Sequence, residues 1–216
     1  MISKSIKIRF YTSLFLLFLV YLMINSKFFL AYSLIVLGVI SLIEFFSITK
    51  KIFVNSLYLF IVNLIFTLYV VIFCLSFFLL ENFMQFKLII YILLVGCIAS
   101  DIGGFTFGKI FKGARLTKIS PKKTISGSIG AIILSSLVML SLTYYFTTMI
   151  SLNFLIISIL TSIFCQLGDL LFSYLKRKAK LKDTGNFLPG HGGVLDRVDG
   201  ILLAVPFSLF TILIIF

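Results

Sequence analysis

Seven long apolar runs constrain what this chain can fold into. A helix needs about 20 apolar residues to cross about 30 Å of hydrocarbon. The chain is 61% hydrophobic and only 12% charged, whereas globular domains carry about 25% charged residues. The sequence therefore predicts an all-α, polytopic membrane bundle of about seven transmembrane helices that forms one integral membrane domain over 1–216. The runs cover roughly 8–25, 28–49, 53–80, 87–109, 125–149, 152–175 and 199–216.

Basic residues are distributed very unevenly between the connecting segments. With the N-terminus in the cytoplasm, 17 of the 19 Lys and Arg residues fall on the cytoplasmic side, and only Lys27 and Lys87 fall outside. Lys and Arg collect in cytoplasmic loops, so this count predicts both the orientation and an odd number of spans. The net charge of +12 is thus explained by the orientation of the chain in the membrane, and no nucleic acid partner is expected.

Asp169 lies inside the sixth apolar run. It precedes Lys176 by seven residues, which is about 10 Å of helix. A carboxylate at that depth costs about 2.5–3.5 kcal/mol, so it should face a polar cavity and have a cationic partner. A structural ion pair with a lysine of a neighbouring helix is the alternative to a functional role.

Asp196 and Asp199 are three residues apart at the start of the last run. On a helix this spacing puts both carboxylates on one face. They suit the helix dipole as simple caps. Together with Asp169 they also resemble an Mg²⁺ site, which combines one or two carboxylates with waters and a phosphate.

Two basic loops are candidates for binding phosphate. In residues 108–127, Ser120–Pro121 predicts a turn, and Thr124 or Ser126 can cap the fifth helix, whose N-terminus attracts anions. Lys122 and Lys123, beside that helix start, are candidate phosphate ligands. Contact with anionic lipid headgroups is the alternative.

The second basic loop follows the sixth run and is rich in glycine. Residues 176–183, KRKAKLKD, precede TGNFLPGHGG, in which Gly190, Gly192 and Gly193 let the backbone approach a ligand closely. His191 is a candidate donor to a phosphate oxygen, or an ordinary loop residue. Carboxylates, lysines and glycines at one membrane face indicate phosphoryl or nucleotidyl transfer to a membrane-resident substrate.

Residues 173–199, SYLKRKAKLKDTGNFLPGHGGVLDRVD, resemble the signature of the phosphatidate cytidylyltransferases, the CDP-diacylglycerol synthases. SD at 100–101, ISPKKT at 119–124 and GDLLFS at 168–173 match the same family in order. The catalytic motifs thus occupy 100–200. Ser126 stands where the family usually has Glu.

The resemblance implies that CTP and phosphatidate become CDP-diacylglycerol and pyrophosphate on the cytoplasmic side of the cell inner or plasma membrane. It implies Mg²⁺, and it allows a monovalent cation such as K⁺ and a homodimer. Asp169 and Asp196 would bind the metals, and Asp101, Asp183 and Asp199 would orient cations or nucleotide. The phosphate ligands implied are Ser120, Lys122, Lys123, Lys176, Arg177, Lys182 and Arg197, with Lys182 also in the catalytic set.

Three other functions remain open at this point. A CTP-dependent lipid or polyprenol kinase would use a similar site. A transporter would commonly show internal repeats with broken helices, neither of which is found, and its polar residues would be distributed at mid-depth, whereas here they cluster at one surface. The third is a catalytically silent relative that serves as an assembly subunit. This alternative stays open because Ser126 replaces the Glu that the family usually has.

Overall fold

A computed structural model describes residues 4–188 and 192–215, and this part of the chain forms seven α-helices without a β-strand. The predicted all-α class is therefore confirmed. The helices are α1 (Lys4–Asn25), α2 (Lys27–Ile52), α3 (Ser56–Glu81), α4 (Met84–Phe111), α5 (Ile125–Thr147), α6 (Leu152–Lys178) and α7 (Leu195–Ile215).

Each helix coincides with one predicted apolar run, and the helix ends fall within four residues of the predicted ends. Six of them, α2 to α7, are long and apolar enough to cross a membrane, and α1 is a helix of 22 residues. Because α3 is continuous from Ser56 to Glu81, it does not contain an additional span. The protein is a polytopic helical membrane protein.

The chain divides into two compact units. The first unit comprises Met1–Leu80 and Leu175–Arg197, and the second comprises Glu81–Tyr174 and Val198–Phe216. Each unit is described separately below.

In the first unit, α2 and α3 pack through aromatic and polar contacts. The rings of Phe45 and Phe66 stack with centroids 3.7 Å apart. One turn further along α2, the Thr49 hydroxyl donates to Asn63 Oδ1 at 2.7 Å. Lipid offers no hydrophobic drive for helix association, so such packing and interhelical hydrogen bonds hold membrane helices together.

In the second unit, small residues bring helix backbones close to one another. A Cβ atom at Gly103 of α4 would lie 2.5 Å from the carbonyl oxygen of Gly130 on α5. Hydroxyls add hydrogen bonds: Ser135 of α5 donates to the Gly96 carbonyl of α4 at 2.9 Å, and the hydroxyls of Thr161 on α6 and Ser208 on α7 are 2.8 Å apart. Small residues and hydroxyls are the usual means of close packing between membrane helices.

Neighbouring glycines of α4 provide a matched test of this packing. We expect Gly103→Ala to lower the melting temperature of the detergent-purified protein, since overpacking a tight contact costs about 1–3 kcal/mol. At Gly104 the nearest atoms to an added Cβ are 3.8 Å away. Gly104→Ala should therefore leave the protein as stable as before or more stable, because Ala has the higher helix propensity. Equal melting temperatures for the two variants would contradict the close approach of α4 and α5.

Candidate functional site

The basic loop before α5, in the second unit, folds back on itself. The Lys123 N–H donates to the Ser120 carbonyl at 3.0 Å, which closes a turn with Pro121 at its second position, where proline is favoured. The Thr124 hydroxyl accepts from the Gly127 N–H at 3.1 Å and caps α5. The predicted turn and one of the two predicted caps are thus confirmed, and Ser126 instead donates to the Lys112 carbonyl.

This turn directs the ammonium group of Lys123 onto the carboxylate of Asp169 on α6. The two groups form an ion pair, in which the side chains are 25% and 35% exposed. Ser173, one turn further along α6, donates from its hydroxyl to Asp169 Oδ1 at 3.3 Å. The cationic partner predicted for Asp169 is therefore present. Lys122 beside it is exposed.

Asp199 and Asp101 also belong to the second unit. The Asp199 carbonyl lies against Gly168 of α6, where an added Cβ would approach it to 2.5 Å, so Asp199 packs beside the residue that precedes Asp169. The Asp199 side chain is buried, and its Oδ1 accepts from the Gly200 N–H at 2.8 Å. Asp101 of α4 is exposed, with Oδ1 4.0 Å from the Cys165 sulfur.

In the first unit, α6 ends in a Schellman turn. The Leu181 N–H donates to the Lys176 carbonyl at 2.8 Å, the Lys180 N–H donates to the Arg177 carbonyl at 3.0 Å, and Lys180 has a φ of 56°. This pattern satisfies carbonyls that have no partner within the helix. The turn begins the chain segment that returns to α7.

Lys176 and Asp196 form the more buried of the two lysine–aspartate pairs. Lys176 Nζ is 2.5 Å from Asp196 Oδ1, and the side chains are 11% and 10% exposed. Asp196 Oδ2 accepts from the backbone N–H groups of Thr184 at 2.8 Å and Gly193 at 3.2 Å. Each carboxylate oxygen of Asp196 thus has its own set of donors.

The glycines of this loop approach carboxylates of the protein itself. Gly192 has a φ of 84°, and an added Cβ there would lie 3.3 Å from Asp196 Oδ2. At Gly193 an added Cβ would lie 2.5 Å from Glu44 Oε2. The sequence predicts that these glycines admit a ligand, whereas the structure gives their close approach to Asp196 and Glu44.

Glu44 of α2 is a site residue that the sequence interpretation missed. It is only 2% exposed. Its Oε2 accepts from the Thr184 hydroxyl at 2.7 Å and from the Leu195 N–H at 2.8 Å, and its Oε1 accepts from the Val194 N–H at 3.0 Å. The available signal was the isolated carboxylate itself, in an apolar run that has no other acidic residue.

The other predicted site residues lie near the surface. Lys182 and Asp183 are exposed, as is Arg177, whose Nη1 donates to the Leu181 carbonyl at 3.1 Å. Arg197 in the first turn of α7 is exposed as well. The candidate donor His191, with Gly190, lies outside the described residues.

Two predicted phosphate ligands are therefore paired with the two predicted metal ligands, Lys123 with Asp169 and Lys176 with Asp196. Within residues 4–188 and 192–215, no group of three or more His, Cys, Asp or Glu side chains could hold a metal ion by itself. Each aspartate thus presents a hard anionic oxygen beside an ammonium group.

These features define a class of protein: a polytopic helical membrane protein whose lysine-rich loops face buried or half-buried carboxylates. The sequence model of the cytidylyltransferase family matches residues 1–215. The chain belongs to this family, and the resemblance found in its motifs is confirmed.

Curated relatives extend the comparison. The phosphatidate cytidylyltransferase of Rickettsia felis is 44% identical over 131 residues, which cover 55% of this chain and 57% of that protein. The enzyme of the same name from Rickettsia bellii is 45% identical over 131 residues (55% and 56%), and that of Staphylococcus aureus 40% identical over 109 residues (50% and 42%). The alignments span about half the length of these curated relatives.

The two lysine–aspartate pairs differ in burial, which predicts different effects on stability. Lys176→Met should lower the free energy of unfolding by about 1–3 kcal/mol, because it leaves a nearly buried carboxylate oxygen without its partner. Lys123→Met should lower it by less than about 1 kcal/mol, since its pair is more exposed and better screened by solvent. Denaturation of both variants under identical detergent conditions measures the difference. A larger loss in Lys123→Met would contradict this ranking.

Proposed function

We propose that the protein transfers the cytidylyl group of CTP to phosphatidate, giving CDP-diacylglycerol and pyrophosphate for phospholipid synthesis. An oxygen of the lipid phosphate attacks the α-phosphorus of CTP. The bond from that phosphorus to the oxygen bridging the α and β positions breaks, and pyrophosphate leaves. The observation that carries the proposal is the signature at 173–199, within a chain of the cytidylyltransferase family.

The reaction brings together two highly charged phosphate groups, and this chain has cations to offset them. Exposed Lys122, Arg177 and Lys182 would meet the incoming nucleotide. Lys123 and Lys176 would turn from their aspartates toward phosphate oxygens. Ser120, Arg197 and His191 complete the proposed phosphate ligands, with Asp101, Asp183 and Asp199 orienting cations or nucleotide.

The donor chemistry of Asp169 and Asp196 fits Mg²⁺. Each offers a hard carboxylate oxygen that holds an ammonium group in the structure, and neither belongs to a closed cage among the described residues. Mg²⁺ is usually bound by one or two carboxylates together with waters and substrate phosphates. When bound, it would neutralise phosphate charge and polarise the phosphoryl oxygen. A monovalent cation such as K⁺ is proposed as the second ion.

No side chain is required as a general base. The second pKa of a phosphate monoester is about 6, so the phosphate of phosphatidate is largely ionised at neutral pH and can attack directly. The task of the protein is therefore to position the two substrates and neutralise their charge.

The proposed location is the cell inner or plasma membrane, with the reacting groups at the cytoplasmic face. The 17 of 19 basic residues on that side support this orientation. CTP would arrive from the cytoplasm and phosphatidate from the bilayer. We also propose that the protein forms a homodimer and binds no nucleic acid.

Two labels of CTP separate this proposal from its main alternative. With the α-phosphorus labelled, the purified protein should place label in the lipid, dependent on phosphatidate and Mg²⁺, with an equal amount of pyrophosphate released. A CTP-dependent lipid kinase would instead transfer the γ-phosphorus to a lipid hydroxyl and release CDP. Entry of γ-label alone would overturn the proposal. Absence of either transfer by a folded, lipid-reconstituted protein would favour the silent relative or the transporter.

A further inference from the structure

Glu44 lies in the middle of a set of hydrogen bonds to the segment that carries Asp196. The backbone N–H groups of three successive residues, 193 to 195, point at two carboxylates: that of Gly193 at Asp196, and those of Val194 and Leu195 at Glu44. The first two of these groups immediately precede α7, and the third belongs to its first residue. A buried carboxylate is stabilised there by the helix dipole and by N–H groups that lack partners within the helix.

Thr184 connects the two carboxylates. Its N–H donates to Asp196 Oδ2 at 2.8 Å. Its hydroxyl lies 2.7 Å from Glu44 Oε2 and 3.0 Å from Asp196 Oδ2. Both carboxylate oxygens thus lie within hydrogen-bond distance of this hydroxyl. Thr184 therefore contacts Asp196 through its backbone N–H and bridges Glu44 and Asp196 through its side chain.

The result is that the two oxygens of Asp196 have different surroundings. Oδ2 accepts from the N–H groups of Thr184 and Gly193, while Oδ1 faces the Lys176 ammonium at 2.5 Å. When hydrogen bonds fix one oxygen of a carboxylate, the orientation of the other oxygen is fixed as well. The second oxygen can then bind a cation in a single orientation.

We propose that Glu44 is a positioning residue that fixes the Asp196 carboxylate, through Thr184 and the start of α7, so that Oδ1 is presented to the substrate-associated cation. This rests on the proposed function in one respect, namely that Asp196 binds a cation. Glu44 itself touches neither substrate nor cation in this proposal. Residues that orient a metal ligand typically change metal affinity or activity by about 10–100-fold when they are mutated.

Close packing around Glu44 supports a fixed position for its carboxylate. An added Cβ at Gly185 would lie 2.5 Å from Oε1, and one at Gly193 would lie 2.5 Å from Oε2. In Glu44→Gln one of the two carboxylate oxygens is replaced by an NH2 group, which is a donor. This NH2 group would face either the Val194 N–H, or the Leu195 N–H and the Thr184 hydroxyl. A donor cannot replace an acceptor at either oxygen, so Glu44→Gln removes the restraint with little change of volume.

The test compares Glu44→Gln and the pair Thr184→Val and Thr184→Ser in the full-length protein. Mn²⁺ serves as the probe cation, titrated by its electron paramagnetic resonance signal, and Mg²⁺ dependence of CTP turnover is measured in parallel. We expect Glu44→Gln and Thr184→Val to weaken Mn²⁺ binding and raise the KM for Mg²⁺ at least about tenfold. Thr184→Ser, which keeps the hydroxyl, should restore both values toward those of the unsubstituted protein.

Thr49→Val on α2 is the matched control. Thr49 is 0% exposed and bonds to Asn63 rather than to the loop, so this variant loses a buried hydrogen bond without affecting Asp196. It should lower thermal stability and leave Mn²⁺ affinity unchanged. Hydrogen exchange at the Val194 and Leu195 amides should accelerate in Glu44→Gln and not in Thr49→Val.

Unchanged Mn²⁺ affinity in folded Glu44→Gln and Thr184→Val would overturn the positioning role, as would failure of Thr184→Ser to restore it. If Glu44→Gln does not fold, the two Thr184 variants decide the question. Mn²⁺ binding and amide exchange are independent of catalysis, so loss of the proposed transferase activity in the parent protein would leave this test intact. A parent protein that binds no Mn²⁺ would overturn the inference.

Discussion

The cost of removing a carboxylate from water is the constraint on which the candidate site depends. A charge within a membrane-spanning helix costs several kcal/mol unless partners compensate it. Asp169 meets Lys123 and Ser173, and Asp196 meets Lys176 and two backbone N–H groups. Glu44 meets the Thr184 hydroxyl and two backbone N–H groups beside the start of α7. The loops before α5 and α7 fold so that these donors reach their acceptors.

The two aspartates satisfy this constraint in different ways. The Asp169 pair is a quarter to a third exposed, and the Asp196 pair about a tenth. An exposed pair is weak and easily exchanged, whereas a buried carboxylate loses much if its partner leaves without replacement. In the proposed function a phosphate would attract each lysine while a cation replaces it at the carboxylate. Simultaneous arrival of nucleotide and cation therefore avoids an uncompensated charge.

Much of the fold follows from the sequence because the lipid environment leaves few alternatives. The lengths of the apolar runs predict all seven helices, and Ser120–Pro121 predicts its turn from local preferences alone. A cationic partner for Asp169 follows from desolvation, although its identity as Lys123 does not. Local rules fail for Glu44, whose partners lie 140 to 151 residues away. The start of α7 at Leu195, four residues before the predicted 199, lies at the same contact, because the Leu195 N–H, the first of that helix, donates to Glu44.

In the proposed function Asp169 and Asp196 bind the cations, and replacing each by asparagine tests these roles most directly. Asparagine keeps the volume and removes the charge that a cation needs. Glu81→Gln is the matched control, since Glu81 is also a buried carboxylate paired with a lysine, Lys87, at 2.6 Å. With folding verified, we expect turnover of CTP and phosphatidate to fall at least about 100-fold in Asp169→Asn and Asp196→Asn and to stay near normal in Glu81→Gln. Near-normal turnover in either aspartate variant would contradict the account.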